Sequence, residues 1–582
     1  MSGVVSGPRF ARAQVEVERR ADGSSILRSS DALKPFARAV GEWLVHWAAV
    51  APDRTFLAER AGDEWRRVSY ADALDAVRRI AGSLLARGLT ASTPVAILSD
   101  NSVNHALVAL GAMHVGVPVA PISPAYSLLC KDHSKLSAIF DLLQPGLVFA
   151  DNAARFVTAL AAVGHAATPI EALLDHQPGS RVDEAFATVG PDTVAKILFT
   201  SGSTGAPKGV INTQRMLCSN QQSFAQAWPF LEAAPPVLCE WLPWNHTFGG
   251  NATFNIVLRN GGSFYIDGGK PTPDLIATTA RNLREISPTM YFNVPRGYDL
   301  LLPLLESDEA LRRSFFARLD GMFYAGAALP QNLYDRLRAL IPHDRVGRTS
   351  MLSGWGSTET APLATIVHFP IDRAANIGNP APGISLKLLP SGNKLEARVR
   401  GPNVTPGYFR NAALTRDAFD EDGFYKIGDA MRLVDPDDPA KGLVFDGRVA
   451  EDFKLQSGTW VHAGAVRVRL IAACNPLVQD AVITGHDRTE VGALVWLNAA
   501  SAHSLGEAEV FSRLQAALAS LHADAAGSSM APKRLLVLEH PPSIDEGEIT
   551  DKGYINQRAV LERRAPQVDH LHAGGPGVIV QC

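Results

Sequence analysis

Cysteine is scarce in this sequence, and its few copies are not arranged in pairs. There are five cysteines among 582 residues, and no two of them form a CxxC pair. Disulfide frameworks and zinc sites both need regularly spaced cysteines, so neither is expected, and a reducing compartment fits this usage. The cysteines are Cys130, Cys218, Cys239, Cys474 and Cys582.

The sequence also lacks an excess of charge of either sign. Lys and Arg number 55 and Asp and Glu number 59, which gives a net charge of −4 with the two signs interspersed. A protein that binds nucleic acid or a membrane surface carries a basic patch or stripe. We therefore expect neither a nucleic-acid partner nor a membrane partner.

Long apolar runs are missing as well. The most apolar window, Ala106–Ile122, is interrupted by His114, Gly116 and Pro118, so it is too polar for a membrane-spanning helix. Residues 1–20 contain no apolar stretch of the kind that a secretory signal needs. These absences predict a cytoplasmic protein.

A chain of this length is too long for one hydrophobic core and predicts two or more domains. The pair Ser69 and Asp72 has the spacing of a capping box, which predicts that a helix starts there. Short apolar strands then alternate with further helices, the next of which is expected at about 103–114. This alternation predicts a parallel sheet that is covered on both faces. Residues 1–40 show no strong periodicity, and we predict a loose lead-in there.

The pattern changes in the last third of the chain. Residues 384–399 alternate between apolar and polar on both sides of a Ser-Gly-Asn turn, which predicts an antiparallel hairpin in a β-rich part. Beyond Val449 the pattern is that of a separate α+β module. We therefore predict a domain boundary between residues 1–448 and 449–582.

The densest motif is a loop that follows the apolar strand Ile197–Phe199. Its three glycines can turn several backbone N–H groups toward one anion, while four hydroxyls and a lysine add donors and charge. Pro207-Lys208-Gly209 breaks the Walker pattern, and an ordinary polar turn is the alternative, although turns rarely need such a composition. The candidate phosphate-binding residues are Thr200, Ser201, Gly202, Ser203, Thr204, Gly205 and Lys208.

A second motif, Ser353–Thr360, combines an aromatic residue, glycines, hydroxyls and one acid. Trp355 could stack on a base, Thr358 could bind a phosphate, and Glu359 could bind Mg²⁺, which prefers one or two carboxylates beside phosphate oxygens. The alternative is a helix N-cap with an acidic first turn.

A third segment, Trp241–Asn251, places His246 and Phe248 among tryptophans and glycines. This composition suits the wall of a flat, close-fitting pocket. A histidine with a purely structural role is the alternative.

Together these motifs resemble those of the acyl-adenylate-forming superfamily, which contains acyl-CoA synthetases, adenylation domains of peptide synthetases and firefly luciferase. The resemblance implies an α/β plus α+β fold: two α/β-layered subdomains and a β-rich subdomain form a large N-terminal domain, and a small mobile α+β lid follows. It also implies ATP, Mg²⁺ and CoA as ligands or co-substrates. A homodimer is left open.

The resemblance implies a role for each matching residue. Thr200, Glu359 and Lys552 would be catalytic, and Glu359 would also hold the metal. The acid would lie against His246, Phe248 and Gly354, and Gly458 would serve the thioester step. Besides the loop residues given above, the nucleotide contacts would be Gly326, Ala327, Trp355, Gly356, Ser357, Thr358, Asp429 and Arg448.

The C-terminal part departs from the common pattern of the superfamily. The hinge position, usually Asp or Lys, is Ala450, and the position that usually holds the catalytic lysine is Glu548. Lys552 is then the candidate for a displaced lysine. The segment Glu451–Val461 resembles the form found in bacterial feruloyl-CoA synthases.

The implied activity is that of an acid–CoA ligase for a hydroxycinnamate, with ferulate as the best guess and phenylpropanoid catabolism as the setting. Alternatives are another aryl or fatty acid, transfer to the thiol of a carrier protein, or a catalytically inactive nucleotide-binding relative.

Overall fold

The computed structural model describes residues 10–201, 207–503, 505–523, 527, 529–550, 553 and 555–581. The strands of its N-terminal part, in chain order, are β1 (Val15–Arg19), β2 (Ser25–Ser29), β3 (Thr55–Ala61), β4 (Glu64–Ser69), β5 (Val95–Leu98), β6 (Val119–Ile122), β7 (Leu147–Phe149), β8 (Val194–Ser201), β9 (Pro207–Thr213), β10 (Val237–Glu240), β11 (Ser263–Ile266), β12 (Met290–Asn293), β13 (Gly321–Tyr324), β14 (Ser350–Gly356), β15 (Leu363–Ile366), β16 (Asn376–Pro380), β17 (Ser385–Ser391), β18 (Lys394–Arg400), β19 (Tyr425–Leu433) and β20 (Leu443–Arg448).

Helices connect and cover these strands. In chain order they are α1 (Gly41–Val50), α2 (Tyr70–Ala86), α3 (Val103–His114), α4 (Pro124–Leu128), α5 (Ser134–Leu143), α6 (Val157–Ala162), α7 (Ile170–Leu174), α8 (Ser180–Thr188), α9 (Gln214–Ala227), α10 (Phe230–Ala233), α11 (Phe254–Arg259), α12 (Ile276–Glu285), α13 (Pro295–Ser307), α14 (Glu309–Phe316), α15 (Gln331–Ala339) and α16 (Ala412–Asp417). The predicted capping box is confirmed, because the Ser69 side chain accepts from the N–H of Asp72 at the start of α2.

Three sheets build the N-terminal part. One has the order β7-β5-β6-β8-β9 and is parallel except for the β8–β9 hairpin. A second has the order β10-β11-β3-β4. The third contains eleven strands in the order β1-β2-β17-β18-β19-β20-β16-β15-β14-β13-β12, and it joins the parallel strands β12–β14 to the predicted β-rich part. The predicted fold class is confirmed.

The predicted loose lead-in at residues 1–40 is wrong. Val15 and Val17 alternate with charged residues, and β1 pairs with β2, which adds to β17 at the edge of the eleven-stranded sheet. Ile26 and Leu27 are fully buried there. Two five-residue strands are too short to show a clear period, and their partner lies more than 350 residues away in sequence.

The C-terminal part has its own strands and helices. They are β21 (Phe453–Lys454), β22 (Trp460–Val461), α17 (Ala463–Ala473), β23 (Val478–Thr484), β24 (Gly492–Leu497), α18 (Ala499–His503), α19 (Glu507–Ala523), β25 (Arg534–Val537), α20 (Gln557–Arg563), α21 (Ala565–Ala573) and β26 (Val578–Val580). Strands β23–β26 form a separate sheet, and two hydrophobic clusters consist only of residues from this part. The exact boundary at residues 448 and 449 stays a prediction.

None of the helices in the described part of the chain combines the length and the apolar composition of a membrane-crossing segment.

Candidate active site

The β8–β9 hairpin carries the predicted phosphate-binding motif. The fully or nearly buried Ile197 and Phe199 hold β8 in the core, and Thr200 pairs with Lys208 across the ladder. The hydroxyl of Thr200 is buried without a hydrogen-bond partner, as expected of a group that awaits a ligand oxygen. Ser201 ends β8, its side chain is not described, and the predicted loop residues Gly202, Ser203, Thr204 and Gly205 lie outside the described residues.

The hairpin is tied to a segment from the β-rich part. The N–H of Ile211 donates to the carbonyl of Gly407 over 3.1 Å, and the N–H of Phe409 donates to the carbonyl of Gly209 over 2.8 Å. Val210 and Tyr408 are paired in an antiparallel bridge. This seam brings Lys208 and Tyr408 to one place.

Lys208 and Glu359 meet at that place, together with two tyrosines. The Lys208 Nζ lies 3.4 Å from Glu359 Oε1 and donates to the Tyr408 hydroxyl over 3.1 Å. The Tyr408 hydroxyl donates to Glu359 Oε1 over 3.0 Å and lies 3.1 Å from the hydroxyl of Tyr425. The two predicted motifs, 150 residues apart in sequence, therefore share one polar cluster.

Glu359 is held as an anion in this cluster. It is only 6% exposed, and burial by itself would raise its pKa, but the charge of Lys208 and hydrogen bonds from Ser357 and Tyr408 outweigh burial and lower the pKa. Burial likewise opposes the charge of Lys208, and Glu359 reverses that effect and raises the pKa of the lysine. A charged carboxylate is the form that binds Mg²⁺.

The residues present fit Mg²⁺ bound together with a nucleotide. Glu359 supplies one hard oxygen ligand beside the unpartnered hydroxyl of Thr200, and Mg²⁺ commonly binds one or two carboxylates with phosphate and water completing its shell. Within the described residues, no group of three or more His, Cys, Asp or Glu side chains could hold a metal without such help.

Trp355 and Asp429, predicted to bind base and ribose, are in direct contact. The indole N–H donates to Asp429 Oδ2 over 2.8 Å, and Arg448 Nε lies 3.1 Å from Asp429 Oδ1. Burial raises the pKa of Asp429 despite the opposing effects of Arg448 and Trp355. Arg448 is half exposed and also donates to the carbonyl of Ile427 over 2.9 Å.

The remaining predicted nucleotide residues lie at one edge of the eleven-stranded sheet. The parallel strands β13 and β14 are neighbours, and the Ser353 hydroxyl donates to the carbonyl of Tyr324 over 3.0 Å. The exposed turn Gly326-Ala327 follows β13, and Gly326 has a φ of +87°, which favours glycine. Gly356, Ser357 and Thr358 follow along β14, and Ser357 caps the short turn that contains Glu359.

The predicted acid-binding residues surround a group of aromatic rings. The Phe248 ring lies 5.6 Å from that of Phe323 and 6.2 Å from that of Phe292. A Cβ on Gly354 would lie 3.3 Å from Phe323 Cζ and 2.8 Å from the carbonyl oxygen of Thr365. His246, half-buried, precedes Phe248 by two residues and lies with its Nε2 3.4 Å from the Asn245 amide nitrogen. The structure therefore places Phe248 and Gly354 around Phe323.

Glu548, at the position usual for a catalytic lysine, is buried in a structural ion pair. Its side chain is 1% exposed, and Arg564 donates to both carboxylate oxygens over 2.7 Å. The N–H of Ser543 donates to the same carboxylate, and the N–H of Asn556 donates to the carbonyl of Glu548. Glu548 thus closes the base of the loop that contains Lys552, which itself lies outside the described residues.

The residues just before Glu548 are docked on the N-terminal part. Ile544 packs against the cluster that contains Ile197 and Phe199 of β8, and Lys135 Nζ donates to its carbonyl. The carboxylate of Asp545 accepts from the N–H of Lys131 over 3.4 Å. The loop base therefore lies against the strand that leads to the predicted phosphate-binding residues.

Two other predicted positions of the C-terminal part stand apart from this cluster. Gly458 is exposed at the turn between β21 and β22 with a φ of +81°, and no atom would lie within 4 Å of an added Cβ. Ala450 lies in a short 3-10 turn, Val449–Glu451. Beside it, Asp452 accepts from Lys394 and from His462, so the polar contacts at this junction are made two residues after the predicted hinge.

Sequence reasoning missed Tyr408, Tyr425 and Phe323. Tyr408 lies 49 residues from Glu359 in sequence, in a segment without a dense motif, and Phe323 looks like an ordinary strand residue. In the sequence Tyr408 merely follows Pro406 and Gly407, a pair that is common in turns, and the φ of +144° at Gly407 became visible only in the structure.

Comparison with solved structures shows that this chain has the fold of an adenylate-binding ligase. The anthranilate CoA ligase AuaEII, solved in complex with anthranoyl-AMP, superimposes with a TM-score of 0.74 at 18% identity, covering 92% of this chain and 99% of that one. At this identity the likeness shows the fold alone.

Sequence comparisons then show the family. A model described as AMP-binding enzyme matches residues 44–409, more than half of the chain, and a second, described as AMP-binding enzyme C-terminal domain, matches residues 455–574. The chain therefore belongs to the AMP-binding enzyme family.

Two curated relatives illustrate the range of proteins in which this sequence pattern occurs. A methyl-dioxo-octahydroindenyl-propanoyl:CoA ligase of Mycobacterium tuberculosis is 28% identical over 466 residues, which cover 76% of this chain and 85% of that protein. A carboxylic acid reductase of Mycobacterium marinum is 24% identical over 547 residues, 83% of this chain but 44% of the reductase. The chain thus spans less than half of the length of that relative.

Proposed function

We propose that this protein is an ATP-dependent acid–CoA ligase that activates an aryl acid, with a hydroxycinnamate such as ferulate as the best candidate. The acid would first form an acyl-AMP with release of pyrophosphate, and CoA would then take the acyl group as a thioester. The observation that carries this proposal is the cluster of Lys208, Glu359 and Tyr408, which adjoins the Trp355–Asp429 pair and the Phe248–Gly354 slot.

The first step brings two anions together, because a carboxylate oxygen must attack the α-phosphorus. At an effective dielectric of about 20, two unit charges about 4 Å apart repel by roughly 4 kcal/mol. Lys208 and the hydroxyl of Thr200 are available to offset this charge, and Lys552 would approach from the docked loop. Bound Mg²⁺ would neutralise phosphate charge beside Glu359.

The aromatic residues around the predicted acid position favour a planar substrate. Phe248 packs on Phe292 and Phe323, and Gly354 brings the backbone close to this group, since an added Cβ would lie 3.3 Å from Phe323 Cζ. Aromatic side chains pack well against a flat aryl ring. A fatty acid would gain the same burial but no ring–ring geometry, which is why we favour an aryl acid.

For the second step we propose that residues 449–582 act as a lid that reorients near Ala450. The separate hydrophobic core of this part supports a unit able to move as one body. Lys552 would leave the nucleotide in this movement, and a thiol would reach the acyl carbon.

The test is acid-dependent release of pyrophosphate and AMP over a panel of cinnamates, benzoates and fatty acids. We expect pyrophosphate release with a hydroxycinnamate, and AMP release that needs CoA rather than a holo-carrier protein. Release with fatty acids only would refute the substrate, and transfer only to the carrier protein would refute the acceptor. An inactive nucleotide-binding relative would give no ATP–pyrophosphate exchange with any acid.

Lys552→Ala separates the two half-reactions. We expect it to abolish most adenylation while thioester formation from supplied acyl-AMP persists, because the lysine is needed where phosphate charge develops. If both half-reactions were unaffected, Lys552 would not have the proposed role.

A further inference from the structure

A turn of π-helix carries the wall of the proposed acid slot. It covers Phe248–Thr253, directly before α11. Single π-helical turns inside helices are uncommon and frequently occur at functional sites. Its first residue is Phe248, so the position of this turn sets the position of the ring that faces Phe323.

The turn is packed closely against the segment before it. A Cβ on Gly249 would lie 2.4 Å from the carbonyl oxygen of Leu242, and one on Gly250 would lie 2.2 Å from that of Trp244. The backbone can approach this closely only because both residues are glycine. The turn is therefore in tight backbone contact with the segment Leu242–Trp244.

Side chains from three other elements bind this turn. Gln221 of α9 donates to the carbonyls of Asn251 and Ala252, each over 3.1 Å. The Thr253 hydroxyl donates to Glu240 at the end of β10 over 2.5 Å.

Lys196 of β8 is the third anchor and the most unusual one. It is 5% exposed, and its Nζ donates to the carbonyl of Gly250 over 2.5 Å. Among the residues that the structure describes, no carboxylate lies within ion-pair distance of it. The charged form of a buried lysine is costly without such a partner, and burial lowers the pKa of Lys196 to about 7. His105 of α3 is a titratable neighbour: burial lowers its pKa to about 4, and the charge of Lys196 acts in the same direction.

We propose that Lys196 is a positioning residue for the acid substrate, which holds the π-helical turn in register with the strand that leads to the phosphate-binding motif. This inference rests on the proposed function, because it assumes that Phe248 faces the acid. Thr200 lies four residues after Lys196 on β8. The same strand therefore contacts the π-helical turn through Lys196 and leads to the predicted phosphate-binding motif at its end. A lysine can span this gap as a buried donor, whereas an apolar residue would leave the carbonyl of Gly250 without this partner.

The test is Lys196→Met, which keeps length and apolar volume but removes the donor. We expect the KM for the acid to rise about tenfold while the KM for ATP stays within about twofold, because the hydrogen bond to the carbonyl of Gly250 is lost only beside the proposed acid position. Lys196→Leu, which also lacks the donor, should show the same split if the methionine variant does not fold.

The matched control is Lys387→Met. Lys387 is also buried, but it lies in the eleven-stranded sheet and pairs with Asp420 and Asp422. It should lower stability without separating the two KM values. Equal changes of both KM values in the Lys196 and Lys387 variants would overturn the proposal.

Hydrogen exchange of the peptide over residues 245–254, measured without substrates, tests independently of catalysis whether Lys196 holds the π-helical turn. We expect faster exchange in Lys196→Met than in the wild type and no change in Lys387→Met. Unchanged exchange in Lys196→Met would refute the inference. If no acid is activated by the wild type, the proposed function fails, but this exchange measurement still shows whether Lys196 holds the turn.

Discussion

Replacing Glu548 by alanine tests whether this carboxylate is structural, as its contacts indicate, or a remnant of the catalytic position. The side chains of Glu548 and Arg564 are 1% and 12% exposed, and two N···O contacts of 2.7 Å join them. Removing one partner of a buried ion pair commonly costs about 3–5 kcal/mol, because the other charge stays buried. Arg564 would keep the carbonyls of His540 and Pro541 as acceptors, so we expect about 3 kcal/mol, the lower end of that range.

The measurement is the free energy of unfolding from denaturant titration of the wild type, Glu548→Ala, Arg564→Ala and the double variant. The double-variant cycle isolates the pair, since each single change leaves a charge behind. Glu562→Ala is the control: Glu562 forms an exposed i,i+4 pair with Arg558, whose loss should leave the stability almost unchanged. A Glu548→Ala protein as stable as the control would refute the reasoning.

The loss should also depend on pH in one direction. Burial would raise the pKa of Glu548, but the hydrogen bond from Arg564 and that from the Ser543 N–H lower it below 4.5. A carboxylate with a lowered pKa contributes stability above its unfolded pKa and loses it as pH falls through the folded value. The difference between wild type and Glu548→Ala should therefore be full at pH 7 and shrink in acid.

A rescue experiment tests the same point through adenylation activity. Glu548→Lys restores a lysine at the usual position, but its side chain would point into the buried site beside Arg564. We expect it not to rescue adenylation in the Lys552→Ala protein. Rescue would mean that the loop can present residue 548 to the nucleotide, contrary to the contacts described above.

Three further changes probe the site. Tyr408→Phe removes the hydroxyl that donates to Glu359, so ATP–pyrophosphate exchange should fall about tenfold. The control Tyr334→Phe should leave the exchange rate unchanged. Equal rates in the two variants would refute the role of Tyr408. Gly354→Ala places a methyl group 2.8 Å from the carbonyl oxygen of Thr365 and 3.3 Å from Phe323 Cζ, so β14 must shift near the proposed acid position. The KM should then rise more for bulky aryl acids than for small acids, and a uniform change would contradict the proposed acid position. The pKa of Lys196 is lowered to about 7, so above pH 7 the unfolded state binds more protons than the folded state. The free energy of unfolding should therefore rise with pH by at most about 1.4 kcal/mol per pH unit. Lys196→Met should flatten this slope.

Much of the local structure followed from sequence patterns that act over a few residues. The helix after Ser69, the hairpin around Gly392 and the strand before Thr200 were predicted correctly, because capping, turn chemistry and burial are local. The meeting of Lys208 with Glu359 was also expected, but only through resemblance to a family. Pairing of β2 with β17 could not be predicted, since it depends on strands far apart in the chain.

The partners of the site residues were harder to predict than the residues themselves. Tyr408 contacts Glu359 because its segment pairs with β9, which no periodicity reveals. Lys196 precedes the apolar run Ile197–Phe199, and nothing in the sequence shows that its amine is buried on the carbonyl of Gly250. Glu548 looked like a lost lysine, although its carboxylate closes a loop. In each case the signal lies in tertiary contacts.

The bridge between Val210 and Tyr408 has one more consequence. Because main-chain hydrogen bonds fix the spacing of these two segments, the backbone positions of Lys208 and Tyr408 do not depend on the contact between their side chains. Trimming a functional group there changes the chemistry of the cluster and leaves its frame in place, so kinetic differences among such variants report on single atoms.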